Sequence, residues 1–346
     1  MQTDKKTVNG LLLALGLGIA ALLIAPLLGK IMGAFSETAA KALSNPLLVA
    51  IIIGLILGNT WYDKVQPQFS TGIDLAKKQV LRIAIVFYGF RLTFTELVDV
   101  GVAALLVDVI IVFGTFFLAV WLGKRWFKVD SQTSMLIGSG ASICGAAAVL
   151  AAEPVVKAPA HKVSVALATV VLFGTVSMFL YPVIYSLGIF PFDGAEFGVY
   201  IGSTVHEVAQ VAAAGGVIST DVMNTAVITK MARVILLAPF LLMLTYMLRN
   251  QAEGEQKGKI TVPWFALGFI IVIGIHSIPI WPEALVSVII WLDTLMLCMA
   301  MGALGLTTHF GDMKKVGVAP FKLAGAIWVW LVFGGALLNG LVNVVM

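Results

Sequence analysis

Residues 201–216 read IGSTVHEVAQVAAAGG. They set His206 and Glu207 side by side in a stretch that is otherwise small and apolar. The string misses the zinc-protease pattern H-E-x-x-H by one residue, because Gln210 stands where the second histidine would be. A helical zinc site needs two histidines one turn apart and a third ligand elsewhere, and an amide is a poor substitute. The remaining histidines, His161, His276 and His309, stand alone near segment ends. No G-x-S-x-G occurs either. Neither metalloprotease nor serine-hydrolase chemistry is expected, and no metal or cofactor is assigned.

The surroundings of this stretch set the class of protein. The chain has 346 residues, of which 60% are hydrophobic and 12% charged, with mean hydropathy +1.02. A soluble domain carries about a quarter charged residues. The composition is that of an all-α polytopic membrane protein. The net charge of +4 has no basic tract interleaved with aromatics, so it points to cytoplasmic Lys/Arg bias and not to nucleic acid. Cys144 and Cys298 both lie in apolar runs and read as reduced, small hydrophobes. The N-terminus has the Lys5–Lys6 pair and apolar run of a signal peptide, but the run is long enough to span and reads as a retained first helix.

Apolar runs long enough to span give eleven segments: 10–29, 46–59, 73–94, 99–122, 131–157, 161–189, 195–217, 221–248, 262–280, 283–306 and 317–345. The links are short, the longest polar one being residues 249–259. The whole chain, 1–346, therefore reads as one transmembrane domain. A scaffold part at 10–59 and a substrate-site part at 73–248 and 283–345 are the expected subdivision.

Two segments are unsuited to plain helices. Residues 138–148, GSGASICGAAA, and residues 202–216 combine Gly with hydroxyl side chains at mid-membrane depth. Irregular backbone survives there only against protein or a water-filled cavity. Both segments read as interrupted, either as broken helices or as re-entrant hairpins. Sliding the chain by 64 aligns residues 137–139 with 201–203; sliding by 216 aligns 89–101 with 305–317. Such matches suggest inverted repeats, a common construction of secondary transporters.

The Lys/Arg count sets the orientation. With all segments crossing, Lys5, Lys6, Lys64, Lys77, Lys78, Lys124, Arg125, Lys128, Arg249, Lys257, Lys259, Lys314 and Lys315 share one face against Lys30, Lys41, Lys157 and Lys162, or 13 against 4. With two hairpins, Lys157 and Lys162 change sides and the count is 15 against 2. Either way the N-terminus is cytoplasmic and the C-terminus periplasmic or extracellular.

Charges inside spans cost about 2.5–3.5 kcal/mol each on insertion scales. This chain keeps Arg82, Arg91, Lys230, Arg233, Asp108, Glu153, Glu207 and Asp293. Pairing of each cation with an acid is the structural explanation. Lys230 and Arg233 invite a second one, because they share a helix face about 14–18 Å past Asp221. Beside a broken helix with its free N–H groups they form a candidate anion site. Ser139, Ser142, Cys144 and Gly145, and Arg91 from an earlier span, join them as candidate substrate contacts. A small-residue packing face is the alternative for the glycines. His206, Glu207 and Gln210 are candidates for proton coupling or gating; direct substrate contact and a structural role remain open for them. If helical, His206 and Gln210 share a face and Glu207 points about 100° away.

Residues 89–94 (GFRLTF), 140–148 (GASICGAAA) with 154–158 (PVVKA), and 204–215 (TVHEVAQVAAAG) followed by 230–239 (KMARVILLAP) resemble the YeiH-type family of bacterial inner-membrane proteins. The resemblance extends over essentially the whole chain. It implies about eleven membrane segments and export of a small sulfur-containing anion, sulfate being the family's suggested substrate. It carries over no catalytic residue. Ala146–Ala148 depart from it, since a further Gly or Ser is expected after SICG. With no nucleotide-binding loop, the expected function is secondary active transport of a small anion coupled to protons or sodium, with a passive anion channel and an intramembrane enzyme as rivals. A homodimer in membrane lipid, built through spans 10–29 and 46–59, is a candidate assembly by analogy.

Overall fold

The computed structural model describes residues 2–34, 40, 43–248, 264–308 and 317–345, and every regular element among them is helical. Six helical runs are long and apolar enough to cross a membrane, and four shorter apolar helices accompany them. Contacts divide the chain into two compact units: residues 1–97, 212–220 and 265–311, and residues 98–211, 221–264 and 312–346. Residues 73–97 and 283–306 thus cluster with residues 1–59. Most of the 305–317 repeat match, the His309 position and the 249–259 link lie outside the described residues.

The first unit holds α1 (Gln2–Gly33), α2 (Pro46–Leu57), α3 (Asp63–Leu75), α4 (Leu81–Tyr88), α13 (Trp264–His276) and α14 (Glu283–Leu306). Asn45 starts α2 by accepting the Leu47 N–H, with Pro46 in the first turn, where its missing N–H costs nothing. Small residues let the backbones touch. A Cβ on Gly10 would lie 2.6 Å from Gly72 Cα, and one on Gly305 would lie 2.8 Å from Leu55 N. Close approach of this kind gains dispersion contacts where lipid supplies no hydrophobic drive. Ala14, Leu17, Tyr62, Ile73, Ala76, Ala303 and Leu306 form the core around these crossings.

The second unit holds α5 (Phe94–Leu122), α6 (Ser131–Ser142), α7 (Ala146–Val156), α8 (Ala160–Ser186), α9 (Gly194–Thr204), α10 (Val208–Ile218, whose second half clusters with the first unit), α11 (Thr220–Ile235), α12 (Leu237–Leu248), α15 (Val318–Val329) and α16 (Gly335–Val345). Both segments expected to be interrupted are interrupted, at 143–145 and at 205–207.

The first is a re-entrant hairpin. Gln132 Nε2, at the start of α6, donates to Val156 O at 3.3 Å and Lys157 O at 3.0 Å, at the end of α7. The second reverses as well. A Cβ on Gly194 would meet Val222 Cγ2 at 3.5 Å, one on Gly198 would meet Thr225 Cβ at 2.7 Å, and one on Gly202 would meet Thr229 Cβ at 2.6 Å. Contacts that climb together show α9 and α11 running parallel. Only Ser219 separates α10 from α11, so α10 must bring the chain back to where α9 began.

Helix α8 serves as a ruler for the pair. Lys162 Nζ bonds Asp130 and Gln132 at the mouth of the first hairpin, at 2.6 and 3.0 Å. Val170 touches its tip, 3.0 Å from a Cβ built on Gly145. Gly174 meets the Gln210 side chain of the second tip, and Tyr185 meets Phe197 edge to face near the second mouth, centroids 4.9 Å apart. From residue 162 to residue 185 the helix rises about 35 Å, enough to cross the hydrocarbon core. The hairpins therefore enter from opposite faces and meet tip to tip near mid-depth.

Candidate functional site at the hairpin tips

Each hairpin begins with an aspartate cap that the sequence displays openly. Asp130 accepts the Thr133 N–H at 3.1 Å, and Asp193 and Glu196 form a reciprocal capping box. The reversals need small residues. Gly145 has φ +69°, where a side chain is strained, and a Cβ there would press on Glu207 Cγ at 2.6 Å. The first arms end in the middle of the protein, so their last carbonyls have no intrahelical donors.

Lys230 and Arg233 supply the missing donors. Lys230 Nζ donates to Ile143 O at 2.5 Å and to Val205 O at 2.6 Å. Arg233 donates from Nε to Ser142 O at 2.6 Å, from Nη2 to Ala141 O at 3.2 Å, and from Nη1 to Ser203 O. Both side chains are fully buried. Two cations thus cap two helix C-termini, where the backbone dipole is negative. The expected pairing with acids is not what holds them: among the described residues no carboxylate lies within ion-pair distance of either. Three ammonium and five guanidinium donors are available in principle, so some remain unspent.

The second arms begin at the same place, and side chains cap their first N–H groups. Glu207, at the tip of the second hairpin, reaches across to the first: its Oε1 accepts the Ala146 N–H at 3.4 Å. Gln210 Oε1 turns back to accept the Glu207 N–H at 3.2 Å, the return half of a capping box at the start of α10. This gives Gln210 a structural reason to stand where a zinc site would need histidine. His206 lies in the non-helical tip, so the shared helical face with Gln210 does not form. His206 Nδ1 and Gln210 Nε2 are buried without a hydrogen-bond partner.

The remaining candidates divide. Cys144 and Gly145 sit at the first tip, Cys144 a buried free thiol. Ser139 Oγ donates to Met135 O at 2.7 Å and Ser142 Oγ to Ser139 O at 3.2 Å, so each has spent its single donor within the helix. Arg91 belongs to the first unit, where Nε binds Asp293 Oδ2 at 2.9 Å and Nη2 binds Thr294 Oγ1 at 2.6 Å. Arg82 lies over the Phe265 ring at 5.9 Å. Two polar residues were passed over or undervalued in the sequence. Asn339 donates to Ser203 Oγ at 3.1 Å, and Asp108 is fully buried with neither oxygen hydrogen-bonded. Intramembrane position flagged Asp108; nothing in the sequence flagged Asn339.

The sequence profile of the family described as "Conserved hypothetical protein 698" matches residues 9–324. The inner membrane protein YeiH of Escherichia coli K12, of the family named UPF0324, is 50% identical over 304 residues, 87% of each chain. YeiH of Salmonella typhimurium LT2 is 50% identical over 301 residues, 86% of each. A UPF0324 membrane protein of Yersinia pestis is 50% identical over 302 residues, 85% of this chain and 83% of the other. This chain belongs to the YeiH (UPF0324) family. No solved structure matches it. It is a bacterial inner-membrane protein by its relatives' names and its own apolar helices. The YeiH names carry no substrate, so the tips themselves must supply the functional argument.

Proposed function

We propose that this YeiH-family protein is a secondary active transporter that exports a small, sulfate-like anion through the junction of its two hairpin tips. One observation carries the reading: two opposed re-entrant hairpins meet at mid-depth on two fully buried cations. Irregular backbone at that depth is tolerated where it lines a transport site. The cations act as tip caps first. The anion would meet N–H groups at the starts of α7 and α10, displacing the Glu207 cap, together with the unspent donors of Lys230 and Arg233 and the positive potential they create. Gly145 lets backbone approach closely, with Cys144 beside it. Glu207 occupies the α7 terminus when substrate is absent, and His206 with Gln210 frames it.

A proton or sodium gradient would drive the movement, with no catalytic step. Fifteen Lys/Arg against two support a cytoplasmic N-terminus and a periplasmic C-terminus, now that both interrupted segments are hairpins. The test is flux of labelled sulfate, sulfite and small sulfonates in proteoliposomes. Saturable flux that follows an imposed gradient is expected. Unsaturable, voltage-driven current would replace the transporter by an anion channel.

A further inference from the structure

Asp108 is the buried acid that the capping scheme leaves over. It lies on α5, fully buried, and neither carboxyl oxygen has a hydrogen-bond partner among the described residues. Its depth follows from the packing of α5 on α6. A Cβ on Gly123 would lie 2.8 Å from Ser134 Cβ, and one on Gly138 would lie 3.0 Å from Ala119 Cβ and 3.3 Å from Phe116 Cδ2. The two helices are therefore antiparallel, with residue 116 level with residue 138. Asp108 is about 12 Å further along α5, while α6 ends at Ser142 about 6 Å past Gly138. The acid stands just beyond the first tip, at the depth where the second one meets it. There Arg233 and Lys230 act on it electrostatically.

Among the described side chains, other charges around α5 are few. Helix α6 has no titratable residue, and the adjoining tip brings Cys144. Helix α12, which meets α5 at Phe116–Phe240, carries Tyr246. Helix α15 carries Lys322, next to the Leu323 that packs on Gly123, about 22 Å along the chain axis from Asp108. Behind Lys230 stand Glu207 and Cys144, and His206 is exposed to the fields of both cations. Lys230 and Arg233 turn their hydrogen bonds to tip carbonyls, and none reaches the Asp108 carboxyl. A carboxylate accepts only, and an ionised one without donors is costly in a dry interior. A proton on Asp108 relieves that cost.

We propose that Asp108 is the proton-binding group of the hairpin unit, taking up a proton when an anion is held at the tips and releasing it when the anion leaves. The inference rests on the transport reading for its anion half and stands on α5 geometry for its proton half. With Asp108 neutral, Lys230 and Arg233 present uncompensated charge to an anion. With Asp108 ionised, that charge is partly cancelled and a bound anion is repelled. Linkage makes the effect reciprocal, so proton and anion strengthen each other's binding. The coupling ion is then a proton moving with the anion.

Two measurements on the full-length protein decide it. Infrared spectroscopy without added anion should show at acid pH a protonated-carboxyl band in wild type that fades as pH rises, is lost in Asp108→Asn and is kept in Asp293→Asn. If Asp108→Asn fails to fold, Asp108→Glu should keep a band at a shifted frequency. A band unchanged in the Asp108 variants would overturn the proposal. Protection by sulfate against thermal unfolding should then improve about tenfold in apparent affinity per pH unit of acidification in wild type, and lose that dependence in Asp108→Asn. A flat profile in wild type that does bind sulfate would also overturn it. A wild type protected by no oxyanion would remove the transport reading, while the infrared result would still decide the proton site.

Discussion

Glu207 accepts a hydrogen bond from the Ala146 N–H at 3.4 Å, so a carboxylate on one hairpin caps the second arm of the other. An anionic side chain already rests where the proposed substrate would arrive. The contact is long for a hydrogen bond, as expected of a group that must give way.

Ala146→Pro tests that position with little disturbance. Ala146 is the first residue of α7, where proline fits the helix and removes just the N–H in question. Sulfate protection in thermal unfolding should weaken about tenfold, the worth of one charge-assisted hydrogen bond, while the unliganded melting temperature changes little. Unchanged protection would take the α7 terminus out of the site.

The capping role of Arg233 predicts a structural cost. Arg233→Ala would leave Ser142 O, Ala141 O and Ser203 O without that donor. Each buried, unmatched carbonyl costs about 1–3 kcal/mol. The variant should melt well below wild type in detergent, whether or not sulfate is present. A variant with wild-type stability would show that the guanidinium is free for substrate, and the capping account would fail.

In the first unit, Arg91 and Asp293 should behave as a structural pair. Asp293 is fully buried and Arg91 nearly so. Removing one partner from such a pair costs about 3–5 kcal/mol, and replacing both with apolar residues is far milder. Arg91→Met should destabilise strongly, and adding Asp293→Leu should restore much of the loss. Sulfate protection should persist in the double variant. Its disappearance would return Arg91 to the substrate contacts.

The mouth of the first hairpin carries a pH dependence outside the spans. Burial pushes the Asp130 carboxyl up, but hydrogen bonds from Lys162 and Thr133 outweigh it and hold it below the ordinary carboxylate range. A depressed carboxyl contributes stability above its unfolded value and loses it as pH falls through the folded one. Lys162→Met should therefore lower the melting temperature slightly near neutral pH and make no difference in strong acid. The effect is small because the pair is half exposed and screened. Equal destabilisation at both extremes would assign the loss to packing.

Much of this architecture was legible in the chain. Apolar runs gave the all-α membrane class and the long spans, because water and lipid sort side chains by the same transfer energies whatever the fold. Gly-Ser clusters gave both interruptions. His206, Glu207, Lys230 and Arg233 were each noticed, since a polar group in a span is costly enough to need a reason. What each does was not legible. Lys230 looked like a cation awaiting an anion or an acid, and it caps carbonyls at residues 143 and 205.

Local rules thus determined the membrane class, the long spans and the two breaks, because hydropathy and helix propensity act within one segment at a time. The tertiary structure alone decided that both breaks are reversals, that they meet, that Arg91 answers to Asp293, and that Asp108 is left without a partner. Those facts depend on which carbonyls and donors from distant segments arrive at the same depth. Residues 87 and 25 positions before Lys230 become its hydrogen-bond partners only once two hairpins have folded back to meet it.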